Sequence, residues 1–373
     1  MTTRSTELLQ VVHQRPGVTR ADAARLLGVG TGAATELVTK LSRASLLIQA
    51  PAAPSGTRGR PTTVLLPHPD GPVVLAVVIT QEAWRVDVVE LGGATAASRS
   101  GRHTATAWAA VRAEVTAAIE DLIQVYGRRP RAIGVSVPGT VSRTLRLDAS
   151  NADWHDVDLT ALWPAAEVFV AGNDATLAAT AEHRRGAAAG AAVALHLRIE
   201  AGLGGAVVEN GRPVIGARGA AGEFGHMPFG DPAVRCPCGA RGCWGSAVDG
   251  TALARLLDEP APKDPITYAR RVIAAAPGSE PAAAAVRTVG AALGRGIAGL
   301  VNGLDADLVT LGGVGADLLA AVPDAIDAAY RDGLMLIHRS APPPVLPATL
   351  SDDDGPLAGA AEEAWAALLP RLT

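Results

Sequence analysis

The chain has 373 residues, 48% of them apolar, and a formal net charge of −4. That apolar content excludes a disordered chain, and the length suits two or three domains. No run of eighteen or more apolar residues occurs, and no basic segment leads into an apolar core. Neither a membrane span nor a secretory leader is therefore expected, and the chain is expected to be cytoplasmic, with no membrane partner.

The charge is unevenly spread. Residues 1–66 carry eight Lys/Arg and three acidic residues, a balance of +5, which leaves −9 for the rest. A basic head on an acidic body fits a head that meets a polyanion. Residues 5–14 put Leu8, Leu9, Val11 and Val12 on one helical side. Thr19 is positioned to cap a helix running to about Leu27, Gly28 supplies a turn, and a further helix runs from about Gly32 to Ala44. Ala24, Gly28, and then Ala34 and Leu37 turned inward is the spacing of a helix-turn-helix. Two short strands around a loop follow, which makes the motif winged. The exposed side of the second helix offers Thr31, Ala33, Thr35, Glu36, Thr39 and Lys40, none of them the Arg, Asn or Gln that reads base edges with paired hydrogen bonds. The wing loop carries Arg58 and Arg60. Binding of double-stranded DNA is therefore expected to lean on phosphate and minor-groove contacts.

After the head, strands and helices alternate in two halves, each opening on a hairpin, so a duplicated α/β body with a cleft between its lobes is expected. All three cysteines fall in "CPCGARGC", residues 236–243. An odd count leaves a thiol over in any internal disulfide scheme, and His226 lies ten residues upstream. Cys236, Cys238, Cys243 and His226 form a set suited to tetrahedral structural Zn²⁺, one per chain, with no open position for a reacting water. Free thiols and an iron–sulfur cluster are the alternatives, the latter less suited to a histidine and one compact site.

"GEFGHM" at 222–227 followed by this cysteine string resembles the signature of the ROK family of repressors, open reading frames and kinases. "GRP" at 59–61, "GVSVPG" at 134–139, "GND" at 172–174, "LGG" at 311–313 and "GAA" at 359–361 extend the resemblance over essentially the whole chain. The resemblance implies a two-lobed actin-like, ribonuclease H-like α/β body behind the winged head. The head is expected at 1–66 and the first lobe at 67–180 plus 355–373, with the last helix folded back on it. The second lobe is expected at 181–354, with the zinc site and an oligomerisation surface. It further implies a homodimer or homotetramer on a two-fold operator, and a sugar or sugar-like effector between the lobes, contacted by Gly139, Asn151, Asn173, Asp174, Glu223 and His226. Asp174 also precedes a helix and can simply cap it.

The family's kinases need an Asp-x-Gly-Gly-Thr turn and a Gly-Thr-Gly turn for ATP and Mg²⁺. Here the first is "VITQE" at 78–82 and the second "EAG" at 200–202. Val78 cannot hold a metal, Thr80 and Gln81 carry side chains where phosphate would approach backbone, and Glu200 would repel a triphosphate. ATP binding is not expected. The family's sugar-contacting Glu after the last cysteine is replaced by Gly245, behind Trp244, which offers a stacking or packing surface. The reading is thus a non-enzymatic transcriptional regulator. Its rivals are a sugar kinase with an appended head, and a degenerate regulator without specific DNA binding.

Overall fold

The structure is a computed structural model that describes residues 3–52, 63–149, 152–352 and 354–373. It divides into two compact units, Met1–Asp174 with Leu357–Thr373, and Ala175–Pro356.

The first unit begins with α1 (Arg4–Gln14), α2 (Arg20–Leu27) and α3 (Thr31–Arg43), followed by an antiparallel pair, β1 (Leu47–Pro51) and β2 (Thr63–Pro67). The Thr19 side chain accepts from Asp22 N at the start of α2, and Gly28 ends that helix in the left-handed region at φ +64°. Leu8, Leu9, Val12, Ala24, Leu27, Ala34, Val38 and Leu41 are buried; Leu37 is only partly so.

The strands β3 (Val73–Ile79), β4 (Ala83–Glu90) and β5 (Thr95–Arg102) form an antiparallel meander. After α4 (Trp108–Tyr126) comes β6 (Pro130–Val137), parallel to β3. A small antiparallel sheet of β7 (Thr140–Val141), β8 (Arg146–Ala149) and β9 (Trp154–Asp158) intervenes before β10 (Val168–Asn173), which runs parallel to β6. The main sheet has the order β10-β6-β3-β4-β5. Its residues Leu75, Val77, Val86, Val88, Ile133 and Val135 meet Val115, Ile119 and Leu122 of α4 in one core.

α5 (Asp174–Arg185) leads into the second unit, where β11 (Val193–Ile199), β12 (Leu203–Glu209) and β13 (Arg212–Pro213) repeat the antiparallel meander. The helices α6 (Gly245–Val248), α7 (Gly250–Leu256), α8 (Pro265–Ala275) and α9 (Glu280–Leu304) follow. Then come β14 (Leu308–Gly313), α10 (Val314–Ala321), α11 (Pro323–Gly333), α12 (Leu336–Arg339), β15 (Val345–Pro347) and α13 (Asp354–Leu368). The sheet order β13-β12-β11-β14-β15 places three antiparallel strands beside two parallel ones, as in the first sheet. The duplicated α/β body is therefore present in the backbone pairing itself.

By length and composition α9 suits a membrane, with mean hydropathy 1.2 over an 18-residue window. Arg287 and Arg295 interrupt its apolar run, so a search for unbroken runs misses it. It is a core helix: 61% of that window is buried, with Val286, Val289, Leu293, Ile297 and Val301 in the second unit's core.

Residues 1–66, expected as the head, fall in the same compact unit as the first sheet. The physical reason is a polar joint on α1. Gly92 N–H donates to His13 Nδ1 at 2.9 Å, which leaves His13 Nε2–H to donate to Glu362 Oε2 at 3.1 Å, with both side chains buried. The Thr6 and Thr373 hydroxyls meet at 2.6 Å.

α13 lies tightly on β6. A Cβ added at Gly134 would stand 2.0 Å from the Ala360 carbonyl oxygen, a backbone atom that cannot give way. Gly134→Ala is expected to destabilise the protein by about 1–3 kcal/mol through overpacking, read as a lowered midpoint in chemical denaturation. An unchanged midpoint would contradict this packing.

Candidate functional site

The cysteine string folds as a knuckle. Cys236 N–H donates to Ala240 O at 2.9 Å and Gly239 N–H to Cys236 O at 3.0 Å, while Gly242 N–H donates to Val234 O at 3.0 Å. Gly239 and Gly242 hold φ of +95° and +70°, which side-chain-bearing residues rarely adopt. The knuckle turns the thiols toward His226, and the ligand atoms of His226, Cys236, Cys238 and Cys243 all lie within 4.8 Å of one another. Cys238 Sγ is 3.6 Å from Cys243 Sγ, and Cys236 Sγ is 3.8 Å from His226 Nδ1. Thiolates about 2.3 Å from a tetrahedral zinc sit about 3.8 Å apart, so the spacing fits one four-coordinate metal ion.

The electrostatics agree with that fit. Burial, together with the thiols of Cys236 and Cys238, pushes the Cys243 thiol up to about 12, whereas the backbone at Ala240 and the Cys236 thiol pull Cys238 down. Three neighbouring thiols cannot all ionise without a cation to neutralise them. His226 Nε2 lies 3.7 Å from Glu223 Oε2, so one imidazole connects the knuckle to the Glu223 carboxylate.

The other residues expected to contact an effector stand as follows. Asn173 ends β10 and its Nδ2 donates to Gly139 O at 3.0 Å, so these two are together in the first unit. Gly139 has φ +114°, and a Cβ there would meet Asp148 O at 2.4 Å. Asp174 is the first residue of α5. Glu223 and His226 belong to the second unit and are exposed. Asn151 lies outside the described residues. Trp244 is not a ligand-facing surface: it is fully buried, donates to Ala292 O at 3.1 Å and packs on Gly296. Its ring fills the second unit's core, which the sequence position alone does not reveal.

Both phosphate turns are closed by the chain itself. At 78–82, Thr80 Oγ1 accepts from Ala83 N at 3.0 Å and Glu82 N at 3.3 Å, and Thr80 N–H donates to Ala83 O at 2.8 Å. Two amides that a glycine turn would present to a phosphate point at a threonine hydroxyl. At 200–202, Glu200 N–H donates to Gly202 O at 2.8 Å and the Glu200 carboxylate pairs with Arg198 at 2.5 Å.

On α3, Thr31, Thr35, Glu36 and Lys40 are exposed and Thr39 is partly so. Thr35 and Thr39 hydroxyls donate to Thr31 O and Thr35 O, each at 2.8 Å, and Lys40 Nζ reaches back to Ser5 Oγ at 3.3 Å. Arg58 and Arg60 lie outside the described residues, in the 53–62 stretch that joins β1 to β2.

The ROK family model matches residues 87–366, a span that opens after the 78–82 turn. Kanosamine kinase of Amycolatopsis mediterranei is 32% identical over 285 residues, which cover 70% of this chain and 90% of that enzyme. The xylose repressor of Bacillus spizizenii is 32% identical over 129 residues, 34% of this chain and 33% of the repressor. Among solved structures, a ROK family transcriptional regulator, a homolog of the E. coli MLC protein, superposes with a TM-score of 0.78 at 23% identity, covering 99% of this chain and 96% of that one. At that identity the likeness is one of fold.

Proposed function

The chain belongs to the ROK family, and from that premise we propose that it is a DNA-binding transcriptional regulator, a repressor, that has lost phosphoryl transfer. The observation that carries this reading is the 78–82 turn. Its amides are held by Thr80, and Val78 stands where a metal-binding carboxylate is required. Catalysis of phosphoryl transfer rests almost entirely on positioning and charge stabilisation of the phosphates, so a turn without donors or metal ligand removes it.

α2 and α3 with the β1–β2 pair are then a winged helix-turn-helix that docks on operator DNA, two copies to a two-fold site in a homodimer or homotetramer. The fold likeness to a regulator over 99% of the chain, head included, supports this. The effector is a sugar or sugar-like molecule. Asn173 hydrogen-bonds its hydroxyls, Asp174 and Glu223 accept from them, and His226 bears on it while held by zinc. His226, Cys236, Cys238 and Cys243 would hold that zinc, and it would supply folding energy and a fixed orientation for the imidazole.

Kinship to kanosamine kinase favours the rival reading, a sugar kinase with an added head. The two are separated by assay. Purified protein with ATP, Mg²⁺ and glucose, N-acetylglucosamine or N-acetylmannosamine is expected to give no sugar phosphate above a protein-free control. Turnover that disappears in Asp174→Ala would overturn the regulator-only reading, because it would make Asp174 a working general base.

A further inference from the structure

The three thiols of the knuckle differ in how easily they are reached and moved. Cys243 is buried at 1% exposure, Cys236 is half-buried and Cys238 is exposed. Cys243 is fixed in place: its carbonyl accepts from Ser246 Oγ at 2.7 Å, and Trp244 behind it is fully buried. Cys236 is held by its backbone, whose N–H donates to Ala240 O at 2.9 Å and whose carbonyl accepts from Gly239 N–H at 3.0 Å. Beside Cys238 there is room, because a Cβ added at Gly239 would meet nothing within 4 Å.

The reachable thiol is also the one closest to the fixed one. Cys238 Sγ stands 3.6 Å from Cys243 Sγ, and a disulfide is about 2.05 Å long, so a movement of about 1.5 Å joins them. The link between the two contains Gly239 and Gly242, which gives the backbone freedom to follow. Cys236 is a poorer partner for Cys238. Its sulfur faces His226 Nδ1 at 3.8 Å, and a ring closed across the single residue Pro237, with its fixed φ, is strained.

We propose that the knuckle is an oxidant switch, in which hydrogen peroxide joins Cys238 to Cys243 and the zinc is released. The exposed Cys238 thiolate attacks one peroxide oxygen, the O–O bond breaks, and the sulfur becomes a sulfenic acid. The second oxygen leaves as hydroxide and is protonated to water. The Cys243 thiolate then attacks the Cys238 sulfur, the S–S bond forms, the S–O bond breaks, and hydroxide again leaves and is protonated to water. Two electrons pass from the sulfurs to the peroxide, and two protons come from solvent. Only Cys236 and His226 then remain to hold the metal, too few for a four-coordinate site, and they let it go. The His226 imidazole is thereby freed beside Glu223, 3.7 Å away. The proposal rests on the metal reading of these four residues, and its bearing on an effector rests in addition on the regulator reading.

The test uses full-length, zinc-loaded wild type in a thiol-free buffer under argon, with hydrogen peroxide as oxidant and a chromogenic zinc chelator as readout. The zinc content per chain is measured first. Peroxide is expected to release about one zinc for each disulfide formed, and prior addition of catalase is expected to prevent the release. Dithiothreitol followed by Zn²⁺ is expected to restore about one zinc per chain. Trypsin cuts after Arg235 and Arg241, so Cys238 and Cys243 fall in separate peptides that a disulfide holds together. Fragmentation of the joined peptides is expected to place the bond at Cys238 and to find Cys236 alkylated by iodoacetamide. Zinc that stays bound in excess peroxide, a bond that runs mainly through Cys236, or a zinc loss that reduction does not reverse overturns the proposal. Protein that holds no zinc at the outset overturns the metal reading and this proposal with it, so the first measurement separates the two failures.

Discussion

Cys238→Ser is expected to strip the metal from the protein and to unfold much of Ala175–Pro356. Wild-type protein should carry about one zinc per chain, and a structural zinc in a small site contributes on the order of 10 kcal/mol to folding. The effect should spread because the knuckle is covalently joined to the core: Cys243 is buried and is followed by Trp244, whose indole donates to α9 and fills the space above Gly296. Trp244 N–H also donates to Met227 O at 2.8 Å, which ties the histidine segment to the same core. Without the cation, the buried Cys243 thiol returns to its proton and the remaining ligands lose their common centre. Elemental analysis and calorimetric unfolding check this together. Metal-free wild type with an unaltered unfolding temperature would show that the four residues only happen to be neighbours.

Replacing Arg58 and Arg60 together by alanine is expected to weaken operator binding far more than replacing Thr31 and Thr35. The hydroxyl of Thr35 is spent on a helix carbonyl, and Lys40 leans back on Ser5, so α3 has little to offer base edges or phosphates. The residues between β1 and β2 include Arg58 and Arg60, two of the head's eight basic residues, with no acidic residue between the strands. The wing double mutant should lose about tenfold or more in affinity and lower the slope of log K against log salt by about two, one for each phosphate contact removed. If the arginines enter the minor groove, the loss is larger on an A·T-rich flank than on a G·C-rich one. A wing mutant that binds like wild type beside a helix mutant that fails would place recognition in the major groove.

Local signals were legible in the sequence and distant pairings were not. The Thr19 cap, the Gly28 turn and the knuckle glycines act within a few residues, so spacing alone locates them. The duplicated sheets follow from hairpin and strand patterns that occur twice. The joint of His13 with Glu362 and the hydrogen bonds of Arg198 and Arg270 to Asp352 join residues far apart in the chain. No periodicity marks such residues, because each pairing exists only after the chain has folded. Trp244 shows the same limit: a tryptophan beside a metal ligand can face solvent, ligand or core, and only the packing of α9 decides.

The most direct test of the whole account is selection of genomic DNA fragments by the full-length, zinc-loaded protein, followed by affinity measurement on the recovered fragment over a range of salt. The account predicts saturable, salt-dependent binding to a site with two-fold symmetry, altered by a sugar or sugar-like effector, in a protein that transfers no phosphate from ATP. A protein that selects no fragment with or without candidate effectors, or one that phosphorylates a sugar through Asp174, would contradict it.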